Sequence, residues 1–292
     1  MKIKKRHKFY FKPRFYVWFV SLCVVVTSIV FFMGYKPNMQ VGKQIQEVQL
    51  AAEAFKEIAI QTSQLGEEKF QSEADKKIKA VEEKIKSGNT NDLKVVFLTF
   101  DDGPSEHTAE VLDMLAHYNI KATFFTNGRE SDVAMQSYQR IVKDGHVLGN
   151  HTYHHNYDLY NNPQAFYNDV KALEDLQSRA TGGEKPSKMF RFPGGSLNAN
   201  ATCRKGILER GYNYVDWNVT AGDGGANPKS ATDVINRVIG GVHEHHVSTI
   251  LCHAEQKSVT REALPKIIET LQAEGYTFMT MDATMDIYPR HS

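Results

Sequence analysis

From Leu93 onward short apolar runs alternate with amphipathic stretches, and this alternation limits the fold more than any other feature of the 292-residue chain. The runs fall at 95–100, 122–125, 147–148 (leading into Asn150), 189–192, 212–217, 249–251 and 276–280. They are too short for helices and rich in β-branched and aromatic residues. Between them, apolar residues recur at helical spacing over 111–115, 137–143, 164–178, 202–209, 232–239 and 261–274. Strands that alternate with helices must lie parallel, in a sheet covered by helices on both faces. Some seven units in ~200 residues fall just short of an eight-unit barrel. The pattern alone therefore allows an incomplete barrel or an open, doubly wound sheet.

The placement of reactive residues separates the two. Asp101 and Asp102 follow the first predicted strand, and His151 follows the third. Arg191 ends the fourth, Asp223 comes shortly after the fifth and His253 directly after the sixth. Polar groups at the C-terminal ends of successive strands converge on one rim of a barrel, whereas an open sheet would spread them along a line. The predicted fold is α/β, a (β/α) barrel spanning 93–290.

The segments before it differ in character. Lys2, Lys4, Lys5, Arg6, Lys8, Lys12 and Arg14 mark 1–14 as a basic segment. The uncharged run 15–35 that follows is about 21 residues, enough to cross a bilayer core as a helix. Cations in front keep the N-terminus inside, so the run predicts a single-pass signal anchor with the rest of the chain extracellular. A cleaved signal peptide fits less well, because bulky Phe31-Phe32-Met33 stands where small residues would precede a cleavage site. Residues 36–92 are rich in Glu, Lys, Gln and Ala, with apolar residues at steps of three and four from Ile45 to Ala59 and from Phe70 to Ile85. That reads as a helical stalk, able to self-associate along its stripe, or as a helix lying on its own domain.

Composition excludes some chemistries. With 35 basic and 34 acidic residues the net charge is +1, which gives no footing to nucleic acid. Three cysteines, Cys23, Cys203 and Cys252, stand too far apart for a CxxC site. A metal would need histidines and carboxylates. Asp101 and Asp102, in the run Thr99-Phe100-Asp101-Asp102-Gly103-Pro104, leave the backbone in different directions, so one can hold a metal while the other faces a substrate; the same turn could merely cap a helix. In His151-Thr152-Tyr153-His154-His155, His151 and His155 stand four apart, close enough on one helical turn to share an ion, with His154 a bystander; the segment taken alone reads equally as a surface histidine cluster. The cluster His243-Glu244-His245-His246 precedes its strand and so falls at the opposite rim. Arg191 can pair with a carboxylate, and the Gly194 amide, with no side chain in its way, can donate to an oxyanion. His253 can serve as acid or base, with Asp223 fixing its tautomer and raising its pKa, although a lone histidine at a strand end is more often structural. Cys252 reads as a thiol buried in the wall.

Taken in order, TFDDGP, HTYHH, RFPGG, the aspartate after DWNVTAG, and LCH make 93–288 resemble the polysaccharide deacetylases, carbohydrate esterase family four. The resemblance implies a deformed (β/α) barrel that removes N-acetyl groups from amino sugars. By the same resemblance Asp102, His151 and His155 bind one divalent ion, usually zinc, with cobalt as an alternative. Asp101 would be the general base, tethered by Arg191, and His253 the general acid, oriented by Asp223. Trp217 and Leu251 would line the groove. Some positions depart from the family pattern: Gly194 replaces a common aromatic, so a sugar-stacking face is lost there. The segment 220–224 lacks one acid and a tryptophan, and Ala254 follows His253 where an aspartate is usual. These departures bear on substrate preference. An outward-facing anchored deacetylase would act on an N-acetylated glycan, peptidoglycan first, then an exopolysaccharide or chitooligosaccharide. A non-catalytic wall-binding module is the reading from another class, disfavoured because a binder needs neither an acid nor a base.

Overall fold

The structure is a computed structural model that describes residues 39–184, 186–224 and 230–291. The expected basic segment 1–14 and anchor 15–35 lie outside the described residues. Among the described residues no helix is long and apolar enough to cross a membrane.

The chain divides into two compact units, Met1–Lys76 and Lys77–Ser292, with the division inside helix α1 (Met39–Lys86). Gly66 breaks the apolar spacing of α1 but not the helix. In the first unit the helix leaves Leu50, Phe55 and Ile58 more than half exposed. In the second, Ile85 is buried, and Ile78 and Val81 pack beside it against the core of the unit. The last turns of α1 are thus a helix lying on its own domain.

That domain continues as β1 (Val95–Gly103), α2 (Thr108–His117), β2 (Thr123–Thr126), α3 (Asp132–Lys143), β3 (Val147–Asn150) and α4 (Pro163–Ala180). Then come β4 (Met189–Phe190), α5 (Ala201–Glu209), β5 (Asn213–Tyr214), β6 (Val219–Thr220), α6 (Ala231–His243), β7 (Val247–Cys252), α7 (Ser258–Ala273) and β8 (Thr277–Phe278). All pairings in the eight-stranded sheet are parallel, in the order β5-β4-β3-β2-β1-β7-β6, with β8 joined to the start of β1. Among the described residues β5 and β6 do not pair, so the sheet is a parallel half-barrel. The predicted strand 212–217 needs correction. It ends at Tyr214, and Val219–Thr220 forms a separate strand at the far edge. Between them the carbonyls of Val215 and Asp216 accept from Arg191, so they are not available to a ladder.

Side-chain alternation along β1 builds both layers of the core. Val96, Leu98 and Phe100 face the helices, where they join Val111, Leu115, Ile267 and Leu271. Val95 and Phe97 face the interior, with Met281, Met285 and Tyr288 of the C-terminal segment. By the same period of two, Thr99 and Asp101 continue up the interior face. Apolar residues close the bottom and polar ones occupy the top.

Phe97 is fully buried, with its ring 5.1 Å from that of Tyr288. Phe97→Ala should cost about 3–5 kcal/mol, read as a lower denaturation midpoint in urea with an unchanged slope.

Candidate active site

The strand pleat that turns Asp101 inward cannot also turn Asp102 inward. The register with β2 slips between Asp101 and Gly103, and Asp102 takes φ +70°, a bulge that swings its carboxylate to the same rim. Asp101 is buried, with Oδ1 receiving Nη1 of Arg191 at 2.8 Å. Arg191 has no exposed surface. Its Nη1 also donates to Thr99 Oγ1 (2.7 Å), its Nη2 to the Asp216 carbonyl (3.0 Å), and its Nε to the Val215 carbonyl (3.3 Å). The guanidinium lies 4.3 Å over the Phe125 ring. Four of the five N–H groups of the buried cation therefore meet acceptors and its plane rests on an aromatic ring, the kind of matching a charge out of water requires.

His151 and His155 come from a loop and not from the expected helical turn, with Thr152 at φ +66° and His155 at φ +52°. Asp169 on α4 holds that shape by accepting the amides of Tyr153 (2.8 Å) and His154 (3.1 Å), and Thr152 Oγ1 accepts the amide of His155 (3.1 Å). Exposed His154 pairs with the Asp169 carboxylate and lies against the Tyr153 ring, away from Asp102. The partner of His151 Nδ1 is the Arg191 carbonyl at 2.7 Å, which can only accept. The proton therefore sits on Nδ1, and Nε2 presents a lone pair to the rim. Burial lowers the pKa of His151 and favours this neutral form, against the nearby charges of Asp101 and Asp102.

Asp102 Oδ1 stands 3.5 Å from His151 Nε2 and 3.3 Å from His155 Nε2. It is buried with no hydrogen-bond partner. The three ligand atoms lie within 4.8 Å of one another. A carboxylate oxygen left without a donor, beside two imidazole nitrogens, is what a divalent cation would complete. Two nitrogens and one oxygen suit zinc or cobalt and leave positions free for water and substrate.

On the opposite side His253 Nδ1 donates to Asp223 Oδ1 at 2.9 Å, and Asp223 Oδ2 accepts the His253 amide (2.9 Å) and the Thr260 hydroxyl (2.7 Å). Nε2 of His253 then faces the rim, 3.7 Å from Asp102 Oδ2. Burial pulls the His253 pKa down, but the Asp223 hydrogen bond and the charges of Asp101, Asp223 and Asp102 outweigh it, and the net shift is upward. Asp223 itself is fully buried, which would raise its pKa, yet its bonds from His253 and Thr260 lower it.

Gly194 is exposed at φ +71°, and its N–H meets no acceptor among the described residues. Trp217 is half-buried, close enough to Gly195 that a Cβ there would meet its ring at 3.2 Å. Leu251 pairs in register with Thr99 on the interior face. Asp101, Asp102, His151, His155, Arg191, Asp223 and His253 thus stand together at one end of the sheet, with the Trp217 ring 5.9 Å from the Arg191 guanidinium and Leu251 one strand away from Thr99. The cluster His243-Glu244-His245-His246 stays apart, before β7, and His243 pairs with Glu274 at 2.7 Å. Cys252 is buried in the outer core.

Other residues escaped the sequence reading. Asp216 is fully buried and accepts the Ser196 amide (2.8 Å), the Ser196 hydroxyl (2.5 Å) and the His291 amide (2.7 Å), fixing the loop after Gly195. Buried Glu255 accepts the Ser105 amide at 3.0 Å and the Thr108 hydroxyl, which bolts the loop after β7 to the turn after β1. Burial lifts its pKa to about 7. Each had a signal: an acid within an apolar run for Asp216, an acid two residues past His253 for Glu255, and an acid on the apolar stripe of a helix for Asp169.

Residues 88–215 match the family model for polysaccharide deacetylase. A peptidoglycan-N-acetylglucosamine deacetylase of Bacillus cereus is 35% identical over 201 residues, covering 67% of this chain and 69% of that protein. Among solved structures, the catalytic domain of a peptidoglycan N-acetylglucosamine deacetylase from Eubacterium rectale is 35% identical with a TM-score of 0.62, covering 68% of this chain and 93% of that one. A family 4 acetyl xylan esterase from Clostridium thermocellum, in complex with a cobalt ion, is 34% identical with a TM-score of 0.56, over 64% and 88% of the two chains. Identity at this level, over more than two thirds of the Bacillus protein, places the chain in the polysaccharide deacetylase family, carbohydrate esterase family 4.

Proposed function

We propose that this protein hydrolyses N-acetyl groups from the amino sugars of an extracellular glycan, peptidoglycan above all. The observation that carries the reading is the unpartnered, buried Oδ1 of Asp102 facing His151 and His155, with Asp101–Arg191 on one side and His253–Asp223 on the other. Peptidoglycan is favoured because the similar Bacillus and Eubacterium proteins carry that activity in their names.

Asp102, His151 and His155 would hold one divalent ion, zinc or cobalt. Such an ion, when bound, supplies a Lewis acid for the acetyl carbonyl and lowers the pKa of water. Asp101 acts as general base and takes a proton from the attacking water, while Arg191 fixes its carboxylate by the 2.8 Å bond. The Gly194 N–H donates to the oxygen on which negative charge develops. His253 gives its Nε2 proton to the departing nitrogen, and Asp223 holds Nδ1 protonated and the ring oriented. The C–N bond breaks, leaving acetate and a free amino sugar. In this reading residues 15–35 anchor the chain, the helix as far as Lys76 carries it from the membrane while its last turns pack on the domain, and 93–290 work outside the cell.

Asp101→Asn should lower acetate release from purified peptidoglycan by ~100-fold or more while the protein remains folded. Full turnover in that variant would remove Asp101 from the role of base. Activity requires protonated His253, so it falls as pH rises through that group's raised pKa. Asp223→Asn takes away the strongest upward influence, and the alkaline limb of the pH–rate profile should move to lower pH. A chelator should abolish acetate release, and added zinc or cobalt should restore it; activity that survives complete metal removal would end this reading.

A further inference from the structure

An aromatic ring that the roles above leave unused stands at the mouth of the site. Tyr157 opens the short 3-10 turn Tyr157–Asn161 and is 49% exposed, high for so large a ring beside a buried polar cluster. Its ring centroid lies 5.4 Å from that of His155, edge to face. On its other flank is Gly194: a Cβ on that residue would fall 2.8 Å from Tyr157 Cε1 and 3.1 Å from Oη. The ring, together with the Asn198 amide nitrogen at 2.7 Å, thus occupies the volume that a side chain at 194 would claim, and the backbone at 194, at φ +71°, resists any residue but glycine. Behind it, Tyr160 is buried and donates its hydroxyl to the Pro193 carbonyl at 2.9 Å, tying the turn to the same loop. Among the described residues the Tyr157 hydroxyl meets no hydrogen-bond partner.

A scattered surface aromatic needs no explanation. This one is bracketed by a proposed metal ligand and by the proposed oxyanion donor, on a turn braced from beneath. We propose that Tyr157 is the platform on which the pyranose ring of the reacting N-acetylhexosamine stacks, and that it determines substrate binding; this inference rests on the deacetylase reading. The apolar C–H face of a pyranose lies on the exposed part of the ring and its hydroxyls face solvent, with the 2-acetamido group directed toward the polar cluster at the rim. Binding sites commonly join one such aromatic surface to a few placed polar groups.

Contact with the sugar ring away from the reacting carbonyl is uniform binding, whose loss raises KM and leaves kcat nearly unchanged. The test compares the full-length wild type, Tyr157→Phe and Tyr157→Leu on the pentamer of β-1,4-linked N-acetylglucosamine. Leucine fills the space beside His155 without offering a flat face. For Tyr157→Leu, KM should rise ~10-fold with kcat within ~3-fold, whereas Tyr157→Phe should stay within ~3-fold in both. Zinc affinity, measured by direct titration, should match the wild type in both variants. An unchanged KM in Tyr157→Leu, or a rise that only follows a loss of zinc affinity, would overturn the platform. Wild-type protein that releases no acetate from any N-acetylated glycan would instead overturn the deacetylase reading beneath it.

Discussion

The buried pair of Arg191 and Asp101 organises the top of this half-barrel. A guanidinium with no exposed surface gives up several kcal/mol of hydration, which only a full set of partners can offset. Its partners come from β1 (Thr99, Asp101) and from the stretch leaving β5 (Val215, Asp216), and Phe125 of β2 supports its plane. The backbone carbonyl of Arg191 also fixes the tautomer of His151. One residue thus sets the direction of the proposed base, the protonation of a proposed metal ligand, and the point where the chain leaves the sheet.

Two further anchors give the rim its shape. Asp169 holds the loop bearing His151 and His155 in a conformation that includes left-handed residues, and Asp216 holds the loop that presents Gly194. Both are carboxylates buried below the rim that accept backbone amides of the loops above them. Strain in a loop persists when packed surroundings over-determine it. Here the surroundings are α4 and the segment after β5, so the loops depend on the scaffold for their form.

Much of this was legible in the chain itself. Strand–helix alternation gave the parallel sheet, because the period of apolar residues reflects burial on one face or on both. The placement of Asp101, His151, Arg191 and His253 after strands gave the shared rim, since parallel strands all end on the same side. A residue's role is not legible in the chain where it depends on a partner distant in sequence. The run 212–217 reads as one strand by composition, yet it divides where Arg191 takes its carbonyls, a contact between residues 24 positions apart. His151 and His155 read as neighbours on a helix by spacing alone, and bonds to Asp169, Asn127 and Asn150 hold that segment as a loop.

What the amino-acid order determined was which residues could reach the rim and in what sequence they arrive, because the two-residue pleat and the parallel topology are local consequences of side-chain pattern. What tertiary structure alone decided was how they meet. The bulge that turns Asp102 beside Asp101, the lone pair of His151 that faces it, and the ring of Tyr157 in the space left by Gly194 all arise between separate segments. No spacing along the chain encodes them, since each is set by packing and hydrogen bonds that exist only once the sheet has formed.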